Sequence, residues 1–135
     1  MVHYRTGRRR RLNRGTAVAE LAVCLPAIVA LVFGAIECCS MIFVKQSLHV
    51  ASYEAIRAAI KHDATNGDVL ARCNQVLTER NINDATIELT PTDISSAPRG
   101  SDVEVKISAP CEANSIARLN IFSGTLEAET IMIKE

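Results

Sequence analysis

Aromatic residues are scarce in this sequence, which contains no Trp, two Tyr and three Phe. Surfaces that bind single-stranded nucleic acid stack the bases on aromatic side chains, so this composition argues against such a surface. The sequence also lacks G-x-S-x-G, H-E-x-x-H, P-loop and dinucleotide-binding motifs, and its three His do not cluster with other metal ligands. We therefore expect a protein that is not an enzyme and that has no cofactor and no bound metal.

Acidic residues are absent from residues 1–15, although the whole chain has 15 acidic and 15 basic residues. This segment contains six Arg, so a segment of charge +6 precedes a remainder of charge −6. An arginine cluster can bind a phosphate backbone. Directly before an apolar stretch it is better explained as a basic segment that fixes membrane topology, and we predict no nucleic-acid partner.

Charged residues are also absent from the sixteen residues between Glu20 and Glu37, LAVCLPAIVALVFGAI. With a rise of about 1.5 Å per residue, a helix over residues 16–44 exceeds the roughly 30 Å thickness of the hydrocarbon core. We predict a transmembrane helix at 16–44. Basic segments remain on the cytoplasmic side, so residues 1–15 are predicted to be a cytoplasmic leader and residues 45–135 to lie outside the inner membrane.

A cleaved secretory signal would also combine a basic segment with an apolar one. The apolar stretch here is longer than the usual span of about 7–15 residues, and Val32-Phe33-Gly34 is a poor cleavage site. A lipoprotein signal is disfavoured because Cys24 precedes most of the apolar stretch. A membrane anchor is therefore the favoured interpretation, with a kink expected where Pro26 and Gly34 interrupt the helix.

Beyond the membrane, two helices are predicted. The first helix continues over 45–62, where small apolar residues recur every three or four positions. Asn66-Gly67 then indicates a break. A short second helix is predicted over 68–81, with Asp68 close to its N-cap position.

After these helices the apolar period changes to two, which predicts β-strands. The three strands are expected at 85–90, 102–109 and 125–134, in an antiparallel sheet that the external helices cover. Alternation slips near Thr130, which predicts a bulge or partial burial of both faces of the third strand. The predicted fold class is therefore α+β.

The segment CEANSIARLNIFSG, residues 111–124, connects the last two predicted strands. It contains four large apolar residues, namely Ile116, Leu119, Ile121 and Phe122. We expect a loop or short helix packed on the core. The alternative is a contact surface for another subunit or for the membrane.

The five cysteines, at positions 24, 38, 39, 73 and 111, match no metal-binding spacing. The predicted topology places Cys73 and Cys111 outside the cytoplasm, where disulfides persist. A Cys73–Cys111 disulfide is therefore possible in a module with a small core. Cys24, Cys38 and Cys39 are interpreted as small residues of the membrane segment and its outer boundary.

The sequence resembles the TadE-like family of tight-adherence (Flp-type) pilus systems, whose members are small pseudopilins. RRRRLNRGTAVAELAVCLPAIVALVFGAIE and the following KQSLHVASYEAIRAAI carry the resemblance, and the strand-rich remainder matches only as a pattern. The resemblance to type IV prepilin-like proteins implies cleavage after a glycine, with a glutamate at the fifth mature position. Gly15 would then end the leader, Thr16 would be the new N-terminus and Glu20 would be the fifth residue.

The resemblance also implies partners and a role for Glu20. The partners are the lipid bilayer, a prepilin peptidase, and other pilins, pseudopilins and the pilus assembly platform. Glu20 would serve peptidase recognition and would pair with the Thr16 ammonium of a neighbouring subunit. Taken alone, Glu20 is also explained as an interfacial acid near a helix N-terminus, and it is the combination of Gly15, the spacing, the arginines and the apolar stretch that favours processing.

Glu37 looks like a recurrent acid of TadE-like proteins, and the sequence leaves open whether it faces water at the interface or makes a functional contact. The function expected from the whole sequence is that of a minor component or assembly factor of a Flp/Tad-type pilus. The alternative is a single-pass, membrane-anchored binding module that is unrelated to pili.

Overall fold

The structure, a computed structural model, describes residues 9–116 and 121–135, with side chains from residue 15 onward. Residues 1–8 of the predicted leader therefore lie outside the described residues, and residues 9–14 are described by their backbone alone. The elements are α1 (Arg9–Ala59), α2 (Asn66–Glu79), β1 (Thr86–Thr90), β2 (Asp102–Pro110), α3 (Cys111–Asn114) and β3 (Thr125–Ile133). The predicted α+β fold, with a long N-terminal helix, a short second helix and a three-stranded antiparallel sheet, is confirmed.

The chain divides into two compact units, Met1–Ala35 and Ile36–Glu135. In the first unit, α1 exposes large apolar side chains on every side, namely Val18, Leu21, Val23, Leu25, Ile28, Val29, Leu31, Val32 and Phe33. A helix that is apolar all round needs an apolar surrounding. From Gly15 onward the helix is long enough to span a membrane, and an 18-residue window within it has a mean hydropathy of 2.4. Pro26 lies inside α1 without ending it.

In the second unit, α1 is amphipathic, and its buried positions recur every three or four residues. The buried stripe consists of Glu37, Ser40, Met41, Val44, Ser47, Leu48, Ala51, Ser52, Ala55, Ile56 and Ala59. Most of these side chains are small, which lets neighbouring elements approach the helix closely. The helix ends at Ala59, three residues before the predicted end at His62.

The second helix begins earlier than predicted because Thr65, and not Asp68, is its N-cap. The Thr65 side chain accepts a hydrogen bond from the Asp68 amide at 3.3 Å, and the Asp68 carboxylate accepts one from the Thr65 amide at 3.3 Å. This reciprocal pair is a capping box. Bonding to Thr65 also lowers the pKa of Asp68. The buried face of α2 consists of Val69, Cys73, Val76 and Leu77.

The strands pair in the order β1-β2-β3, and both pairings are antiparallel. The predicted bulge near Thr130 is wrong, because the register of β2 and β3 runs without interruption from Pro110↔Thr125 to Asp102↔Ile133. Thr130 is a half-buried residue on the inner face of β3, where its hydroxyl lies 2.8 Å from that of Ser52. The apparent slip arises because a hydroxyl pair occupies a position where an apolar side chain was expected.

The loop between β1 and β2 contributes to the core. Ile94 is fully buried, and its amide donates to Asn66 Oδ1 at 2.9 Å. The Asn66 amide group donates to the Thr92 carbonyl at 2.7 Å, and the Lys134 ammonium group donates to the Ile94 carbonyl. These bonds hold residues 92–94 between the start of α2 and the residue that follows β3.

The connection between β2 and β3 does not pack as predicted. It begins with the four-residue helix α3, and the Cys111 amide donates to the Gly124 carbonyl at 2.9 Å, so the connection is a closed loop. Its described apolar residues Ile116, Ile121 and Phe122 are exposed. Leu119 lies outside the described residues. The expectation that this segment is packed on the core is therefore wrong for these three side chains.

Candidate functional site

The predicted processing site lies near the start of α1. Gly15 and Thr16 are both helical, and Glu20 is exposed. A Cβ atom added to Gly15 would have no neighbour within 4 Å, so packing does not require glycine at this position. Thr16 and Glu20 are four residues apart and therefore lie on the same face of the helix.

Glycine at position 15 has two consequences for a protease. It destabilises a helix by about 1 kcal/mol relative to alanine, so the chain here is easier to open into the extended form that a protease cuts. It also presents no side chain that would hinder close approach of an active site. The residue pattern is thus suited to a peptide bond that is cut beside the apolar helix.

Glu37 opens the buried stripe of α1, and its side chain is fully buried. The Ser115 hydroxyl donates to Glu37 Oε1 at 2.5 Å, and the Ser40 hydroxyl donates to the Glu37 carbonyl at 2.8 Å. Glu37 therefore makes a specific contact, and the interpretation of it as a water-facing acid is wrong. A buried carboxylate is stable only with hydrogen-bonding partners, and Ser115 is one of them.

Ser115 was not identified from the sequence. It is 78 residues from Glu37, and no local pattern connects a serine in a loop with a distant acid. The participation of Glu37 could have been inferred, because Glu37, Met41, Val44 and Leu48 follow the helical spacing of three and four residues. The negative charge obscured that periodicity.

All five cysteines are free thiols. Cys73 belongs to the central core, whereas Cys111 is buried outside that core at the start of α3. The Cys73–Cys111 disulfide remains a prediction. Burial raises the pKa of the Cys73 thiol from 9.0 to about 12, so this thiol is unreactive while the module is folded. Cys24, Cys38 and Cys39 are exposed along α1.

A shallow depression of about 820 Å³ lies where α1 and α2 meet, and charged side chains of both signs line it. Within it, Arg72 donates to Glu54 at 2.8 Å, and this bond lowers the pKa of Glu54. Arg57 approaches the same carboxylate at 3.9 Å. The arrangement is an ion-paired surface that ties the two helices together. Among the described residues no group of three or more His, Cys, Asp or Glu could hold a metal.

Comparison with known protein families gives a match for most of α1. Residues 15–57 match the family described as TadE-like protein. This part of the chain is similar to TadE-like proteins. The resemblance seen in the sequence is thereby confirmed over this segment. No curated protein and no solved structure matches the chain significantly.

The TadE-like segment coincides with the features described above. It begins at Gly15, it includes Glu20 and Glu37, and it ends two residues before α1 does. The second helix and the sheet lie outside it. The similarity to the family therefore covers the membrane-type helix and most of its buried stripe.

Proposed function

We propose that the protein is a single-pass pseudopilin that acts as a minor component or assembly factor of a Flp/Tad-type pilus. In this proposal a prepilin peptidase removes residues 1–15 by cutting after Gly15. The protein has no catalytic activity of its own. The observation that carries the proposal is the order of Gly15, Thr16 and Glu20 at the start of the TadE-like segment and of an exposed apolar helix.

The charge distribution supports the proposed topology. Six Arg precede the apolar stretch, and no acidic residue lies among the first 15 residues. Basic residues favour the cytoplasmic side, so the bond after Gly15 lies at the cytoplasmic border of the inner membrane. The α+β module then lies outside the membrane. A peptidase embedded in the membrane and open to the cytoplasm reaches this bond.

Helix geometry supports a role for Glu20 after cleavage. The new ammonium group of Thr16 and the Glu20 carboxylate are separated by four residues, or about 6 Å along the helix axis. A neighbouring helix shifted by this distance brings its own Thr16 ammonium level with Glu20. Pairing of these groups offsets the cost of placing each charge beside hydrocarbon, and it sets the axial register of the two subunits.

The substitution Gly15→Leu tests the proposed cleavage. We expect the variant to keep its leader, because the leucine side chain hinders access to the bond. Gly34→Leu is the matched control, since Gly34 is also helical and an added Cβ meets nothing within 4 Å at either glycine. Mass spectrometry of the membrane-bound proteins should show loss of residues 1–15 from Gly34→Leu only. Normal removal of these residues from Gly15→Leu would contradict the proposal.

A further inference from the structure

One end of the α+β unit, the end at which its part of α1 begins, carries exposed apolar side chains. The side chains belong to the β2–β3 connection, where Ile116 is 72% exposed, Ile121 is 56% exposed and Phe122 is 38% exposed. Ile116 also lines a small groove with Ser40 and Phe43 of α1. Exposed apolar side chains gathered in one segment indicate a surface that another apolar phase or partner covers.

Four contacts order the rest of the unit along α1. Lys45 donates to the Glu127 carbonyl, Ser52 meets Thr130 at 2.8 Å, and the Glu135 amide donates to the Ile60 carbonyl at 3.2 Å. The contact nearest the start of the unit is that of Glu37, which accepts a hydrogen bond from Ser115 at 2.5 Å. Strand β3 therefore runs beside α1 in the same direction as the helix. The loop that closes between Cys111 and Gly124 lies at the Glu37 end.

The Glu37 end coincides with the expected outer boundary of the hydrocarbon. At a rise of about 1.5 Å per residue, a core of roughly 30 Å takes about 20 residues, so a span that begins at Thr16 ends near residue 36. Burial of α1 within the second unit begins at Glu37. The two boundaries are obtained independently, one from residue counting and the other from packing. Ser115 is therefore held at the level where the helix leaves the membrane.

Exposed charge is absent from the part of α1 nearest this boundary. Between Ile36 and Val44, the segment of α1 nearest the boundary, the single charged residue is Glu37, which is buried. The outer face of the sheet, in contrast, carries Glu88, Glu127 and Glu129, all exposed. The outer sheet face suits water. The Glu37 end combines the exposed apolar side chains with Glu79, Arg80 and Glu112, and this mixture of apolar and charged groups suits the interfacial layer of a bilayer.

We infer that Ile116, Ile121 and Phe122 form a membrane-surface contact and enter the interfacial layer of the bilayer from which α1 emerges. Apolar side chains of surface-bound segments reach about 5–10 Å into the headgroup and acyl boundary. The Glu37–Ser115 bond positions the connection at that depth. The inference rests on the membrane span of the proposed function and is independent of the cleavage and of the pilus.

The absence of Trp from the sequence allows a direct test. Single-Trp variants of the full chain are reconstituted into phosphatidylethanolamine and phosphatidylglycerol vesicles with or without brominated acyl chains, which quench Trp fluorescence on contact. Phe122→Trp reports on the connection. Phe33→Trp is the control inside the apolar helix, and Tyr53→Trp, 16 residues beyond Glu37, is the control away from the membrane. The last two positions have similar exposure, 46% and 48%.

We expect brominated chains to quench Phe122→Trp strongly, to an extent closer to Phe33→Trp than to Tyr53→Trp. Quenching of Phe33→Trp alone would overturn the inference and leave the anchor intact. In that case blue-shifted emission from Phe122→Trp would indicate that another protein copy covers the surface, and red-shifted emission would indicate water. If Phe33→Trp were also unquenched, both the anchor and the inference would be wrong.

A second pair of variants separates membrane contact from a general effect of added charge. Ile121→Glu and Ile131→Glu each introduce an acid at a position that is 56% exposed, the former on the connection and the latter on the outer face of β3. In the Phe122→Trp background, Ile121→Glu should reduce quenching severalfold, because a carboxylate is excluded from hydrocarbon. Ile131→Glu should leave it unchanged. Equal effects of the two substitutions would contradict the inference.

Discussion

Leu48 provides a test of whether the outer part of α1 is integral to the α+β unit. Its side chain is fully buried in the core that also contains Val105 and Ile107 of the sheet and Cys73 of α2. Leu48→Ala removes apolar contacts and leaves a cavity, which costs about 2–5 kcal/mol in protein cores. Even the lower value raises the population of the open unit about 30-fold, since each 1.4 kcal/mol corresponds to a factor of ten.

Cys73 reports this opening. Its thiol is buried with a pKa raised to about 12, so alkylation requires that the unit open. The protein is held in detergent and treated with iodoacetamide, and mass spectrometry of the peptide from Cys73 to Arg80 gives the rate of modification. Peptide mapping separates Cys73 from the exposed cysteines at 24, 38 and 39. The Leu48→Ala variant should be modified at Cys73 at least about 30-fold faster than the unsubstituted protein.

Val50→Ala is the matched control, because Val50 lies on the same helix two residues away and is 37% exposed. A substitution at a surface position outside the core changes stability by about 0.5 kcal/mol or less, so the rate at Cys73 should rise by no more than about 2.5-fold. Equal rates for Leu48→Ala and Val50→Ala would refute the reasoning, because the outer part of α1 would then contribute no core to the unit.

Two further predictions concern Glu20 and Cys73. Glu20→Gln should insert in the membrane as the unsubstituted protein does but should be lost from the assembled fibre fraction. The control Glu129→Gln, which neutralises an exposed acid of the sheet, should still assemble. Equal recovery of both variants in fibres would show that the Glu20 charge has no role in register. The raised pKa of Cys73 stabilises the folded unit fully below pH 9.0, and this contribution is lost as the pH rises towards about 12 because the unfolded thiol ionises first. The urea midpoint measured by circular dichroism should therefore fall more between pH 9 and pH 12 for the unsubstituted protein than for Cys73→Ala. An equal fall of the midpoint in both proteins would contradict the raised pKa of Cys73.

Much of the fold could be predicted because two simple periods dominate the sequence. The predicted strands at 85–90, 102–109 and 125–134 differ from the observed ones by one residue at one end each. Alternating side chains on a sheet with one covered face require this pattern. The ends of the helices were predicted less accurately than those of the strands. The N-cap of α2 is Thr65, whereas Asp68 was predicted, because several neighbouring turn residues are capable of capping a helix.

Contacts over long distances in the sequence could not be predicted. Thr130 was interpreted as the site of a bulge or of partial burial of both faces of β3, because its partner Ser52 is 78 residues away. For Glu37 the sequence left open whether the side chain faces water or makes a contact, because its partner Ser115 is equally distant. In both cases a polar residue occupies a position on the buried face, and only the fold supplies the hydroxyl group that makes such burial favourable.

The apolar β2–β3 connection was predicted to pack on the core for a related reason. Apolar composition indicates that a segment is covered, but it does not indicate by what. The inner face of the sheet is already occupied by the buried faces of α1 and α2. Ile116, Ile121 and Phe122 remain outside that core, at the end of the unit from which the apolar helix departs.

The N-terminus of the protein isolated from membranes is the most direct test of the proposed function. Intact-mass and N-terminal peptide analysis should show a chain that begins at Thr16 in cells with an active prepilin peptidase. In cells whose peptidase is inactivated, residues 1–15 should remain attached. A chain that retains residues 1–15 when the peptidase is active would contradict the assignment of Gly15 as the cleavage site and of the protein as a processed pseudopilin.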